Sequence, residues 1–521
     1  MDSSLTATKT LVITATDTAQ TLARRREEHD LAEPPNPYKD VKPTLLDALV
    51  PGLGLIRIGK RMQGALALGV VLVFGYLIVR NWGLFTGGWQ SLGMSLLLAV
   101  LSWTELKQVF SADVVEFWIA SLYLTLGIVL TFYFSGRTFR KLLAEGSERR
   151  SSMSLSQLAW RSFKKRGVAV GAMLVAFVLY SVALLAPVIA PFDPNDQKDF
   201  TVTAFQAPLS KLDVLILKET ETQNIPLRPE SDFTATLVNR VIEKNYQLRL
   251  RGETHKKFYV NQFQQSGDKV TYTQGIRDGA VPLEKLKDIS ETAYHTTRTF
   301  IMGTDQYGRD ILSRVIYGSR ISLSVGFLVV LISVTIGTVL GVTAGYFGGI
   351  TDAIIMRFIE VLRIIPTLFL ILIIIALYGS SILLVILVIS LTGWTSVSRL
   401  VRGEILSLKE REFVQAGRAL GLSNARIMFK HLIPNALTPV IIAATLSIGG
   451  IIVTEATLSF LGLGVPPPTA SWGNIISDGR DNLLNHWWIS TFPGLAIVLT
   501  VVSFNLIGDG IRDALDPRMR D

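Results

Sequence analysis

The sequence has no cysteine, so disulfides, thiolate nucleophiles and cysteine-held zinc are all excluded. It has only five histidines, widely scattered, which argues against a histidine-rich metal site. Charge is scarce as well: 18% of the 521 residues are Asp, Glu, Lys or Arg, against about 25% in an ordinary soluble domain. No GxxxxGK[ST] phosphate-binding loop occurs, so the chain is not expected to bind ATP itself. The first 44 residues hold no apolar stretch of the kind found in a cleavable signal, and the segment 1–61 is expected to stay in the cytoplasm.

What is present is apolar. Hydrophobic residues make up 49% of the chain, and the mean hydropathy is +0.40. The net charge of +9 lies beside the apolar runs. That is the pattern of the positive-inside rule rather than of a nucleic-acid surface.

A bilayer core takes about 20 apolar residues per helix. The run 168–191 is uncharged and follows Arg161, Lys164, Lys165 and Arg166, which puts its start in the cytoplasm. Further runs cover 321–351, 364–398, about 437–453 and about 487–507. The 364–398 run is short for two spans, so the first of that pair is expected to start within 352–363. Six spans then follow residue 167. Parity returns the chain to the inside near Arg399, where 399–431 carries seven Lys/Arg against three Glu. Two more spans bring the tail 511–521, with Arg512, Arg518 and Arg520, to the same side.

Before residue 150, Met62–Val79 and Phe117–Phe134 read as spans, giving an extra membrane region over 62–134. The segment 135–167 is a basic cytoplasmic linker with nine Lys/Arg and two Glu. Inside ends on both flanks require an even number of crossings. The 13-residue apolar piece 91–103 is therefore expected to be re-entrant or to lie in the interface, which leaves Arg80, Glu105 and Lys107 outside. Pro51-Gly52-Leu53-Gly54 predicts a tight turn ahead of the first span.

Residues 192–301 are polar, with 15 basic and 15 acidic residues, and parity places them outside. A 110-residue stretch is too long for a structureless loop. Lys211–Lys218 and Lys256–Val260 predict strands, and 233–251 predicts a helix or a strand. A small α+β extracytoplasmic insert follows, without a catalytic constellation. The core 302–510 then contains a cytoplasmic loop, 399–436.

That loop is the informative segment. Glu412–Leu420 predicts a short helix with Phe413, Ala416 and Leu420 on one face. Gly421 follows at a left-handed C′ position. Ser423 caps a second helix carrying Ile427, Met428 and Leu432, and Pro434 is expected to disrupt the helical bonding there. The result is a basic, partly apolar knob suited to docking in a partner's cleft.

The pattern Gln415-Ala416-Gly417, then Gly421, then Ile433-Pro434 resembles the EAA loop of ABC importer permeases. Gln415 stands where that pattern usually has Glu, Gly417 where it has Ala, and His431 replaces an aliphatic residue. Gly303–Arg314 followed by Tyr317–Ser322, Asp352 through Met356-Arg357 to Pro366, Glu455–Gly464 with Pro466–Pro468 and Ser471-Trp472-Gly473, and Asp516-Pro517-Arg518 are similar to dipeptide/oligopeptide permeases of the C-type subunit. Together these motifs cover roughly 155–521.

The resemblance implies an all-α polytopic membrane protein with a six-helix permease core, here with two extra N-terminal spans and the α+β insert. It implies a non-catalytic subunit that forms half of a pore for peptides or similar small solutes. Gln415, Ala416, Gly417, Leu420, Gly421, Ile433 and Pro434 would couple it to separate ATP-binding subunits. The implied partners are a homologous second permease, two ATP-binding subunits that carry ATP and Mg, an extracytoplasmic substrate-binding protein, and lipid. The implied location is a bacterial cell (inner) membrane with both termini cytoplasmic. An ion-driven secondary transporter is the alternative, but that class often carries intramembrane ionisable residues, and few occur here.

Other charged residues admit two roles. Arg357, Glu360 and Arg363 sit at helical spacing, either lining a path or paired at an interface. Glu455 either lines the external mouth or accepts hydrogen bonds from a neighbouring helix. Asp305 and Arg309 read as a structural pair at a tight turn between Gly303 and Gly308, not as part of a metal site. Trp472 is expected to anchor an external loop at the bilayer interface.

Overall fold

A computed structural model describes residues 50–145 and 155–515, apart from 198, 221–226, 228, 230–231, 252–254 and 289, together with 41, 43, 44, 46 and 47. The expectations for 1–40, for the middle of the basic linker, and for Asp516–Arg520 lie outside the described residues. The chain forms two compact units: Met1–Tyr76 with Thr125–Ser152, and Leu77–Leu124 with Met153–Asp521. Among the described residues eight helices are long and apolar enough to cross a bilayer, and one bent pair qualifies jointly.

Among the described residues, a short helical turn at Leu53–Arg57 is followed, ahead of the linker, by α1 (Arg61–Arg80), α2 (Trp82–Leu101), α3 (Trp103–Val109) and α4 (Ala112–Glu145). In the first unit the expected tight turn exists. Gly52 has φ +86°, and its N–H donates to Ser135 Oγ at 2.7 Å. The Phe139 ring lies against Gly54, and the Phe74 ring against Gly127. Arg57 pairs with Asp47 at 2.5 Å.

The second unit holds α2, which is longer than the 13 residues expected. It starts at Trp82, because Gly83, Thr86, Gly87, Gly88 and Gln90 dilute the apolar run without breaking the helix. After α5 (Leu155–Lys164) and α6 (Gly167–Leu184) comes the insert. It is α+β, as expected. Strand β1 (Ser210–Thr220) is followed by α7 (Phe233–Arg249), whose N-terminus is capped by Asp232 Oδ1 accepting from Ala235 N–H at 2.7 Å. Then come β2 (His255–Val260), β3 (Gln262–Ser266), β4 (Lys269–Gln274), β5 (Arg277–Pro282) and β6 (His295–Phe300). One sheet has the order β2-β1-β6, with Val214 opposite Tyr259 and Thr296. The meander β3-β4-β5 was not legible in the sequence, because its strands are largely polar on both faces.

The core consists of α8 (Ile311–Phe347), α9 (Gly349–Ile364), α10 (Thr367–Tyr378), α11 (Ile382–Leu408), α12 (Glu412–Ala419), α13 (Ile433–Phe460), α14 (Trp472–Asp478) and α15 (Trp488–Leu515). A seam of Gly337, Gly341 and Gly345 on α8 lets α11 approach closely. A methyl at Gly341 would lie 2.5 Å from Ser398 O, and one at Gly337 2.6 Å from Val397 Cβ. This is the small-xxx-small mode of helix packing in lipid.

One expectation, that for Trp472, needs correction, and two helices have shapes the sequence did not specify. The first span of the 352–398 pair is bent, since α9 and α10 meet at 77°. The break is at Ile365-Pro366, where proline lacks the N–H that would continue the ladder. Pro434 disrupts the α-helical bonding, as expected, without ending the helix. Residues 427–432 widen to a π turn, which accommodates the missing donor and the ring, and Asn424–Phe460 runs on as one 37-residue candidate span. Trp472 is not at the bilayer interface. It is buried at 1% exposure, and its Nε1–H donates to Val315 O at 3.0 Å. The short helix α14 folds it inward against α8 and α13.

Candidate coupling site and membrane core

The knob between α11 and α13 has an inner and an outer face. Val414 and Gly417 of α12 are buried, as are Ile427 and Leu432. Val414, Ile427 and Leu432 pack with Val342 and Tyr346 of α8, Val401 and Ile405 of α11, and Ala436 and Val440 of α13. The outer face carries Phe413 at 41%, Leu420 at 81% and Phe429 at 59% exposure. These three side chains are left uncovered by the rest of the chain.

The turn between the faces is built as the spacing predicts. Gly421 has φ +71°, Leu422 N–H donates to Gly417 O at 3.0 Å, and Gly421 N–H to Arg418 O at 2.9 Å. This closure satisfies the last carbonyls of α12. Ser423 Oγ accepts from Arg426 N–H at 3.4 Å. Two further contacts fasten the knob: Tyr346 O–H donates to Asn424 Oδ1 at 2.9 Å, and the Arg418 guanidinium lies 5.2 Å from the Tyr346 ring centre. Arg402 of α11 grips Asp352 of α9 with two hydrogen bonds of 2.5 Å.

Of the seven residues expected to couple, Gln415, Ala416, Leu420, Gly421 and Pro434 are exposed. Gly417 is buried and Ile433 half-buried, so these two hold the knob's shape. The sequence reading missed Phe429, for which the exposed apolar position opposite Ile427 was the available signal.

The charged candidates separate. Arg357 Nη1 donates to Glu360 Oε2 at 2.8 Å, and both side chains are well exposed. Glu455 is fully buried. Its Oε2 accepts from Ser322 Oγ of α8 at 3.1 Å and its Oε1 from Ser459 Oγ at 2.8 Å. Trp472 N–H donates to the same Ser322 Oγ at 3.2 Å. The carboxylate thus ties α13, α8 and α14 together.

Asp305 and Arg309 do pair, at 2.6 Å, between Gly303 (φ +77°) and Gly308 (φ +76°). The pair belongs to a larger buried network. Asp478 accepts from Arg309 at 2.8 Å and from Arg314 at 3.1 Å, and Arg314 lies 3.7 Å from Asp305. Burial pushes the Asp478 carboxyl up, against the pull of Arg314 and Arg309. Next to it, Asp310 caps α8 by accepting from Ser313 N–H at 2.7 Å. Burial raises its carboxyl to about 6, against the hydrogen bonds from Ser313.

Residues 337–521 match the family of binding-protein-dependent transport system inner membrane components, and 154–208 match the N-terminal transmembrane domain of oligopeptide transport permease C. A dipeptide transport system permease protein of Alkalihalophilus pseudofirmus is 44% identical over 218 residues, covering 42% of this chain and 72% of that one. The chain belongs to this permease family.

An oligopeptide transport system permease protein of Haemophilus influenzae is 46% identical over 218 residues, covering 42% of this chain and 70% of the relative. A chain in a structure of the MetNI methionine ABC transporter overlaps 39% of this permease and 96% of its own length, at 18% identity and a TM-score of 0.33. As a family member this permease is a multi-pass pore subunit of an ATP-driven importer, without catalysis of its own. The knob and Glu455 lie within the matched 337–521. Residues 1–153 and 209–336 lie outside both family matches, 154–208 and 337–521.

Proposed function

We propose that this permease forms half of a translocation pore for peptides or similar small solutes, the substrates named for its relatives. The knob 411–434 receives movement from two separate ATP-binding subunits, which carry ATP and Mg. A homologous second permease supplies the other half of the pore, and an extracytoplasmic substrate-binding protein delivers the solute. Both termini and the knob lie in the cytoplasm of a bacterial cell, by the charge of 399–431, and the insert lies outside. The single observation that carries this reading is the knob itself: apolar side chains exposed outward on a unit whose inner face is fixed to α8, α11 and α13. ATP-driven closure in the partners then shifts the two pore states only through their different affinity for this surface.

The test is co-purification and ATP-driven uptake by Phe413→Glu with Leu420→Glu. Both side chains are exposed, so the fold and the second permease should be retained while the ATP-binding subunits and uptake are lost at least tenfold. Retention of both at wild-type levels would sink the coupling role. Uptake that continues with a dead ATPase but collapses with the ion gradient would favour an ion-driven transporter instead.

A further inference from the structure

We propose that α2 is a membrane-surface helix: one face is seated in the lipid headgroup boundary and the opposite face carries the insert through α7. The partner of its exposed face is thus lipid.

The two faces are distinct. Gly87, Ser91, Ser95 and Leu98 are buried. Leu98 packs with Leu237, Val238 and Val241 of α7, Ser91 Oγ–H donates to Asn245 Oδ1 at 2.7 Å, and Gly87 lies under Leu248 and Lys244. Low numbers of α2 meet high numbers of α7, so the helices run antiparallel along nearly their whole lengths. At 3.6 residues per turn the opposite side is the stripe Trp82, Trp89, Leu96 and Val100. These are 60%, 37%, 59% and 85% exposed.

A crossing helix could not keep this neighbour. α7 carries Arg240, Glu243, Lys244 and Arg249, and charges of that number are not lodged across a bilayer core. Among the described residues, α2 meets α4 around Phe117–Ser121. Ser121 Oγ–H donates to Phe85 O at 3.1 Å, Trp118 Nε1–H to Ser91 Oγ at 3.0 Å, and Gly88 rests on Phe117 and Ser121. The helices therefore cross rather than run side by side as adjacent spans would.

The level of that crossing is marked by charge. Glu116, one residue before it on α4, pairs with Arg320 of α8, and Arg251 of the insert donates to Tyr317 beside them and to Ala190 O and Phe192 O. From this charged level the crossing reaches at most roughly 7 Å deeper, at 1.5 Å per residue. A surface helix buries its apolar face about 5–10 Å into the boundary. Trp82 and Trp89 in the first half of that face suit the same depth. A single residue, Asn81, joins α2 to α1, so the stripe starts where a membrane helix ends.

The absence of cysteine makes the test direct. Trp82→Cys, Trp89→Cys, Leu96→Cys and Val100→Cys are each spin-labelled in the full chain in 3:1 phosphatidylcholine/phosphatidylglycerol vesicles. Glu243→Cys, on the exposed side of α7, serves as the aqueous reference. Oxygen and nickel-chelate accessibility gives each depth. The expected result is four shallow, oxygen-accessible labels within about one helical turn of each other in depth, roughly 5 Å, with Glu243→Cys in water. A crossing helix would instead spread labels 82 and 100 by about 27 Å. Labels open to nickel, or closed to both reagents, would assign the face to water or to a protein and overturn the proposal. If the tryptophan variants fail to fold, Gly83→Cys, where an added Cβ meets nothing within 4 Å, and Val100→Cys still separate these outcomes, since a crossing helix would spread them by about 26 Å.

Discussion

The two ends of the permease core are held by different forces. On the insert side, Asp305, Arg309, Arg314 and Asp478 form a buried ionic network joining the start of α8 to α14. On the knob side, the fastening is apolar: Val414, Ile427 and Leu432 against α8, α11 and α13. Buried charges are directional and intolerant of partner loss. Apolar contacts are graded and survive small changes of shape. One end is thus a directional ionic clasp, and the other an apolar unit packed on three helices.

The largest effect that exposes this difference is predicted for Arg314→Met. It keeps the volume but leaves Asp305 and Asp478 with one cation fewer in a buried site. The expected destabilisation is about 3–5 kcal/mol, read as a large drop in the thermal midpoint in detergent or as failure to accumulate. A loss below about 1 kcal/mol would mean the network is ornamental and the contrast between the ends false.

Next is Asp310→Asn. Asparagine keeps the cap on Ser313 N–H and removes a carboxyl whose burial raises it to about 6. A raised carboxyl disfavours the folded state only where it must ionise. The cost is absent below the unfolded value near 4 and grows to its full size above about 6. Asp310→Asn should therefore match wild type near pH 4 and be more stable at pH 7.5, by roughly 1–3 kcal/mol. Equal stability across that range would place the charge in solvent instead.

The sequence disclosed these ends unequally. Gly421 and Ser423 were legible because turn and cap chemistry is local. Asp305 and Arg309 were legible as a pair for the same reason. Asp478 was not, because nothing local announces a partner about 170 residues away. Glu455 showed only as a charge in an apolar run; that it binds Ser322 needed the helices packed. The Gly337-Gly341-Gly345 seam was readable as a period of four, but it merged into an uncharged run that already had an explanation. Trp472 was misplaced because interface and core tryptophans look alike in sequence. Pro434 was legible as a disruption of helical bonding, but the π turn that absorbs it was not.

The smallest effect is predicted for Ile427→Val, on the apolar end. It deletes one methylene from a side chain that is 1% exposed. The surrounding residues belong to three different helices and can close part of the gap. The expected cost is about 0.5–1.5 kcal/mol, with ATP-driven uptake within twofold of wild type. The glutamate pair at Phe413 and Leu420 should do the reverse, leaving stability within about 0.5 kcal/mol while abolishing uptake. If Ile427→Val instead abolished uptake at so small a cost in stability, the knob would have to transmit movement through exact internal fit. The distinction between a directional ionic clasp and a forgiving apolar unit would then fall.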